Sequence, residues 1–379
     1  MAKAAPRARL LRSLTRAAKS QRSLLVKLLD VYTPTPPKQP KPRKPRPTRA
    51  AAPATPAAPP KTRRPAPPER TRATGKWLVG HYPMPSKPGQ PAAPIMTYWL
   101  YLPERMPDSA ARHGWPLVVM LHGCQQSATQ FAQGTRMNQL AEEKGYAVLY
   151  PQQLVGVQPQ RCWRWYDRAT QQGDGETAVL AGLIGKVCEE HTIDRRRIYA
   201  CGISAGAGMA AVLALNHPEL IAAVGLHSGP VFGAGHSPAG ALHVMRHGAL
   251  AQADTAILGV LQRMDKPMPA MPALLVQGDD DQVVRPVNQQ QLARQWLHLN
   301  GLPSGPATRV TVKSAGRGGV RNAHDIHDYL VGRKVLLRVV RIAGLGHAWS
   351  GGDPAVRFNA EAGPEASRMM LDFFGKHRR

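Results

Sequence analysis

Cysteine is sparse and long apolar runs are missing. The four cysteines, Cys124, Cys162, Cys188 and Cys201, are too few for a disulfide scaffold in 379 residues, and no C-x-x-C pair or zinc-like spacing joins them, so no metal site is expected. No run is long enough to cross a bilayer as a helix, so no transmembrane segment is expected. The one candidate core for a secretory leader, residues 24–32, is interrupted by Lys27 and Asp30 and is not legible as one. Base-reading and RNA-stacking motifs are absent too, which argues against specific nucleic-acid recognition. Acids are few: 24 Asp and Glu stand against 50 Lys and Arg, a formal net charge of +26.

That excess is local. Residues 1–74 hold 19 Lys or Arg against Asp30 and Glu69, together with 15 of the 36 prolines, which leaves only +9 for the rest of the chain. The remainder therefore has the balance of an ordinary soluble enzyme. Within the basic part, residues 1–32 interleave leucines with Arg12, Arg16, Lys19, Arg22 and Lys27 and read either as a basic amphipathic helix for an anionic surface or as a solvated tail. Residues 33–75, rich in Pro, Ala, Lys, Arg and Thr, read as a disordered linker. A nonspecific contact to phosphates, with steep salt dependence, is open to such a segment. Residues 76–379 are expected to form the folded domain.

In that domain strands and helices alternate. Residues 97–102 are aromatic and alternating, residues 115–121 form an apolar run suited to a strand buried on both faces, and residues 146–150 stop at Pro151, with a helix between at 128–144. Residues 152–174 read as a long irregular loop around Trp163 and Trp165, which are expected to line a substrate cleft, core packing being the alternative. A helix at 175–190 leads to strands at 197–201, 220–226, 273–278 and 335–342. Residues 228–271 show no sheet element and are expected to roof the site. Residues 304–334, including His324-Asp325-Ile326-His327-Asp328, read as a solvated loop, with a metal as the weaker alternative. Residues 364–374 form a closing helix that turns Met369, Met370, Phe373 and Phe374 inward. The fold class is α/β: a doubly wound, mostly parallel sheet with helices on both faces.

Gly202-Ile203-Ser204-Ala205-Gly206 lies between the strand at 197–201 and a helix from 208. Small residues two before and two after a serine allow the tight strand-to-helix turn that presents its hydroxyl at a helix N-terminus. Further on, Asp279, Asp280 and Asp281 follow one strand and His347 follows the last. Serine, acid and histidine thus occur in the α/β-hydrolase order, each beyond the carboxyl end of a strand. A hydroxyl needs an imidazole to take its proton, and the imidazole needs a carboxylate to fix its tautomer. Asp281, three after Gly278 and two before Val283, best suits the turn. The polar turn His122-Gly123-Cys124 after the run 115–121 stands where such folds build half of an oxyanion hole.

Together, residues 97–103, Leu121-His122-Gly123-Cys124, Cys162-Trp163-Arg164-Trp165, the stretch 193–207, residues 278–284 and Gly344-Leu345-Gly346-His347-Ala348-Trp349-Ser350-Gly351-Gly352 resemble the PHB-depolymerase-type esterases, α/β hydrolases. The resemblance spans roughly residues 76–375. It implies Ser204 as nucleophile, His347 as base, Asp281 as its orienter, and the main-chain N–H groups of Cys124 and Ala205 as oxyanion donors. Trp349, in the motif that carries His347, joins Trp163 and Trp165 as an expected substrate contact. The family pattern pairs Cys124 with Cys162 in a disulfide under oxidising conditions, leaving Cys188 and Cys201 in the core. It further implies an ester substrate, a polyhydroxyalkanoate or its oligomer, and no cofactor or metal. Feruloyl or acetylxylan esters are the alternative substrates, and a granule- or polyanion-binding protein with a hydrolase-like domain is the alternative outside enzymes. Secretion is implied by the family, and a cytoplasmic, granule-associated location by the lack of a readable leader. Arg164 stands where the family usually has asparagine.

Overall fold

Residues 73–84, 94–249, 252–264 and 266–379 are described by the computed structural model; the expected segment 1–32 and nearly all of the expected linker 33–75 lie outside them. Ten strands form one sheet: β1 (Lys76–Pro83), β2 (Ile95–Leu102), β3 (Trp115–Leu121), β4 (Ala147–Pro151), β5 (Ile193–Ile203), β6 (Ala223–His227), β7 (Ala273–Gly278), β8 (Arg309–Lys313), β9 (His324–Val331) and β10 (Lys334–Ile342), in the order β1-β2-β4-β3-β5-β6-β7-β10-β9-β8. The middle six, β4 to β10 in that order, are parallel, and an antiparallel pair closes each side. Continuous apolar runs take the middle because a parallel strand there is covered on both faces: residues Leu117, Val118, Val119, Met120 and Leu121 are all fully buried.

Helices supply the cover. On one face α1 (Ala128–Thr135), α2 (Met137–Lys144) and α8 (Ala366–Phe374) share a core with Val118, Met120, Tyr199 and Leu274. On the other, α3 (Gly175–Glu190), α4 (Ala205–Asn216), α5 (Pro238–His247), α6 (Gln252–Gln262) and α7 (Val287–Leu299) pack against Leu117, Val119, Ala200 and Leu275. In α8, Met370, Phe373 and Phe374 are buried and Met369 is half-buried. Among the described residues no helix is long and apolar enough to cross a membrane.

Two expectations are corrected. The helix expected over 128–144 is two helices, because Arg136 adopts a left-handed conformation (φ 55°) between them. A second chain segment packs against α1 there: a Cβ on Gly134 would lie 2.2 Å from Asn359 Nδ2. The stretch 304–334, expected as loop, contains β8 and β9. Its polar side chains suit a sheet edge, where one face stays wet, and its buried acid is Asp328. That carboxylate is gripped by Arg338 from β10 (Nε to Oδ1, 2.6 Å) and by Arg309 from β8 (2.5 Å), which clips the last three strands together.

If that clip holds the edge, Asp328→Asn will lower the unfolding free energy by about 1–3 kcal/mol, the range for charge-assisted hydrogen bonds. Urea denaturation checks it, and a loss below about 0.5 kcal/mol, the scale of an exposed pair, would refute it.

Candidate active site

β5 and α4 meet at Ser204. The serine sits at φ 57°, ψ −124°, a strained conformation for a residue with a side chain, and α4 begins at the next residue. Strand and helix approach closely enough to require glycine on both sides. A Cβ on Gly202 would lie 2.4 Å from the Leu121 carbonyl oxygen, and one on Gly206 would lie 2.0 Å from the same atom. Ser204 donates its main-chain N–H to the His227 carbonyl (3.0 Å). Its hydroxyl makes no hydrogen bond among the described residues.

Beyond β7 and β10 the structure brings Asp281 and His347 together, Nδ1 to Oδ2 at 2.8 Å. Asp279 instead accepts the Gly344 N–H at 2.6 Å, and it and Asp280 are exposed. Asp281 is completely buried, and its lone pairs are met from several sides: Val283 and Val284 N–H on Oδ1, both at 2.9 Å, and the Gln277 amide on Oδ2 at 3.0 Å. Burial works to raise the pKa of this carboxyl, but the facing His347, the Val284 N–H and the Ser228 hydroxyl together outweigh it and hold the group below the usual carboxylate range. The pair is arranged to keep a charged acid against one imidazole nitrogen, which leaves the other for a substrate-side proton.

The turn after β3 is held by its histidine. His122 is fully buried; its Nδ1 lies 2.8 Å from the Gly123 carbonyl, to which it donates, and its Nε2 accepts the Gln153 N–H at 3.2 Å. Burial drives its pKa down to about 4, with the Arg161 charge adding to the effect and the Gly123 hydrogen bond opposing it. The ring is therefore neutral near pH 7 and works as a brace. Gly123 N–H in turn reaches Gln126 Oε1 at 2.8 Å. Cys124 is disulfide-bonded to Cys162, with Cα atoms 4.3 Å apart, and Gln125 N–H donates to the Gln160 carbonyl at 2.7 Å, so turn and aromatic loop form one unit. The N–H groups of Cys124 and Ala205 have no acceptor among the described residues. Cys201 is buried and Cys188 is half-buried, both as free thiols.

The three tryptophans expected at the substrate are all core residues here, which corrects that expectation. Trp163 is 0% exposed and packs on the His122 ring, and Trp165, 3% exposed, lies against Gly208 on α4. Trp349, 1% exposed, stacks on His227, meets Phe131 edge-on and donates to Ser367 Oγ. Indoles in these places fix the turns that carry Cys124, Ser204 and His347, and present no face to a ligand. Arg164 is explained by a partner: its N–H and Nε hold the buried Glu176 carboxylate at 2.8 and 3.2 Å, and Gln153 Nε2 joins at 2.7 Å.

Sequence reading passed over His122 as a side chain, along with Gln153, Glu176, His227 and Ser228. The available signal was a polar residue at the end of an apolar strand, as at His122 and His227. Among the described residues no group of three or more His, Cys, Asp or Glu converges to hold a metal.

Residues 96–318 match the family described as "Esterase PHB depolymerase". The chain is 29% identical over 253 residues to poly(3-hydroxyalkanoate) depolymerase C of Paucimonas lemoignei, covering 65% of this chain and 57% of that protein. It is 26% identical over 213 residues to a probable acetylxylan esterase A of Neosartorya fischeri, covering 54% and 55%. It thus spans little more than half the length of these curated relatives. An acetyl xylan esterase from Aspergillus awamori superimposes with a TM-score of 0.59 at 17% identity, over 79% of this chain and 99% of that one, a likeness of fold.

Two outcomes follow from this geometry. His122 and His227 are both held neutral by burial, with pKa values of about 4 and about 3, whereas unfolded histidine titrates near 6.5. As pH falls below about 6.5 the unfolded chain takes up protons that the folded chain refuses, so stability should drop between pH 7.5 and pH 5 by about 2 kcal/mol per histidine. Urea unfolding at the two pH values measures this; an unchanged midpoint would contradict it. For the disulfide, alkylation of denatured protein should find two thiols without reductant and four after reduction, and four from the start would exclude the bond.

Proposed function

The chain belongs to the PHB-depolymerase family of esterases, and from that premise we propose that it is a serine carboxylic ester hydrolase acting on short-chain hydroxyalkanoate esters, polymeric or oligomeric. The observation that carries the reading is the Asp281–His347 pair beyond the carboxyl ends of β7 and β10, on the same side of the parallel sheet as a serine in a strained strand-to-helix turn after β5. In the proposed reaction His347 Nε2 takes the Ser204 proton as Oγ attacks the acyl carbon, and Asp281 stabilises the resulting imidazolium through Nδ1–H. The negative charge that develops on the carbonyl oxygen falls to the Cys124 and Ala205 N–H groups, worth about 3 kcal/mol per donor, with the positive end of α4 behind them. His347 then returns the proton to the leaving alcohol, and water, activated the same way, releases the hydroxy acid.

Similarity to a polyhydroxyalkanoate depolymerase supports this substrate class, and similarity to an acetylxylan esterase supports a second reading, removal of acyl groups from polysaccharide. The +17 concentrated in residues 1–74 makes an anionic surface the proposed partner, a role compatible with either substrate and screened by salt.

Clearing of an amorphous polyhydroxybutyrate suspension, with release of hydroxybutyrate, is the expected activity of the wild type. Ser204→Ala should abolish it, and Asp281→Asn should lower kcat on a soluble nitrophenyl butyrate by about 10³–10⁴-fold. Acetate or ferulate release without clearing would move the polysaccharide reading forward. Equal rates for wild type and Ser204→Ala would end the catalytic reading and leave a binding protein.

A further inference from the structure

One buried residue touches the segments that carry Ser204 and His347 and contacts a serine next to Asp281. His227 ends β6, is 0% exposed, and accepts the Ser204 N–H at its own carbonyl, 3.0 Å away. Its Nε2 accepts the Ser350 N–H at 3.2 Å, three residues beyond His347, and its ring stacks on Trp349 at 5.1 Å. Its Nδ1 lies 3.2 Å from Ser228 Oγ, and the Ser228 side chain is among the groups that hold the Asp281 carboxyl below its usual range.

The direction of every bond in this chain is dictated by chemistry. An amide N–H only donates, so the Ser350 contact requires a lone pair on Nε2, and the neutral ring must then carry its proton on Nδ1. That proton is given to Ser228 Oγ. The serine hydrogen is thereby freed for the only kind of partner a carboxylate can be, an acceptor, at Asp281. Ser228 is held in place for this at φ 49°, with its own N–H on the Val276 carbonyl at 2.9 Å. Protonating the ring on Nε2 would cost the Ser350 contact, so the donor order is fixed as long as the core is closed.

We propose that His227 and Ser228 are positioning residues for the Asp281–His347 pair, His227 aligning Ser228 so that its hydroxyl aims the Asp281 carboxylate at the imidazole. The inference rests on the triad reading and adds to it a second histidine that never meets substrate. Its function is geometric: carbonyl and ring tie the serine turn and the histidine turn to one strand end, with Ser228 as the link proposed to the acid.

Full-length protein with a short-chain nitrophenyl ester tests this. Ser228→Gly removes the hydroxyl at a positive φ that glycine accepts, and should lower kcat about tenfold with KM within about twofold, the pattern of a displaced catalytic pair. It should also shift the downfield proton resonance of His347 Nδ1–H, which a loss of stability alone would leave in place. His227→Asn can replace the Nδ1 donor and His227→Gln can replace only the Nε2 acceptor; the asparagine variant should stay within about threefold of wild type and the glutamine variant should fall with Ser228→Gly. Wild-type kcat and an unshifted resonance in Ser228→Gly would overturn the proposal, as would equal kcat for the two His227 variants. Should the His227 variants fail to fold, Ser228→Gly decides alone, since it keeps the ring. Ser204→Ala separates the two layers: an inactive Ser204→Ala with a normal Ser228→Gly rejects only the positioning role, and an active Ser204→Ala rejects the triad and this inference with it.

Discussion

The contact between the first turn of α4 and the last carbonyl of β3 governs the geometry of the site. Gly202 and Gly206 both abut the Leu121 oxygen, so any larger residue at either place would push helix and strand apart. This contact brings the start of α4, with Ala205, close to the end of β3, three residues before Cys124. α4 has no exposed side: Ala205, Ala207 and Met209 through Leu215 are all buried, with Trp165 and Pro230 against Gly208. A helix enclosed on every side has little room to tilt, and the serine at its head shares its rigidity.

Around this contact the buried ionisable groups Asp281, His122 and Glu176 have partners before any ester is present. Asp281 is surrounded by donors, His122 braces the turn after β3 in its neutral form, and Glu176 gathers Arg164 and Gln153 under the aromatic loop. Each is an expensive group to bury and each has partners of the right polarity, so the low dielectric strengthens the arrangement. Dipoles fixed in this way need no reorganisation when charge appears on a substrate oxygen, which is the physical basis of oxyanion stabilisation. The disulfide from Cys124 to Cys162 extends the same logic to the covalent level by joining a donor-bearing turn to the loop that covers it.

Much of this was legible in the amino-acid order, and the limits have physical causes. The runs that became β3, β5 and β7 were readable because strands buried on both faces must be apolar throughout. The elbow was readable from its flanks, and Asp281 from its distance to Gly278. β8 and β9 were not, since an edge that keeps one face in water and buries Asp328 between two arginines has the composition of a loop. The interruption at Arg136 was hidden for another reason: nearby, α1 meets Asn359, more than two hundred residues away, which sits where a side chain on Gly134 would be. The tryptophans misled because aromatic residues in a loop signal order without saying which side of the loop they face. His227 was invisible as a hub because its partners at Ser204, Trp349 and Ser350 lie far from it in the sequence.

Backbone strain shows how the site is kept ready. Among the described residues seven other than glycine have positive φ, and four of them, Gln125, Arg161, Ser204 and Ser228, stand in the turns just described. Such conformations cost about 1–3 kcal/mol each and relax unless their surroundings forbid it. Here the restraints are identifiable: the Gln125 N–H is fixed to the Gln160 carbonyl, Arg161 is adjacent to the bridged Cys162, and Ser204 and Ser228 donate their N–H groups to the ends of neighbouring parallel strands. Each strained residue is thus clamped by a bond that does not involve a ligand. The tension is carried by the sheet and the disulfide, so an incoming ester has no ordering to supply, and its binding energy is left for the acyl group and the oxygen that takes up charge.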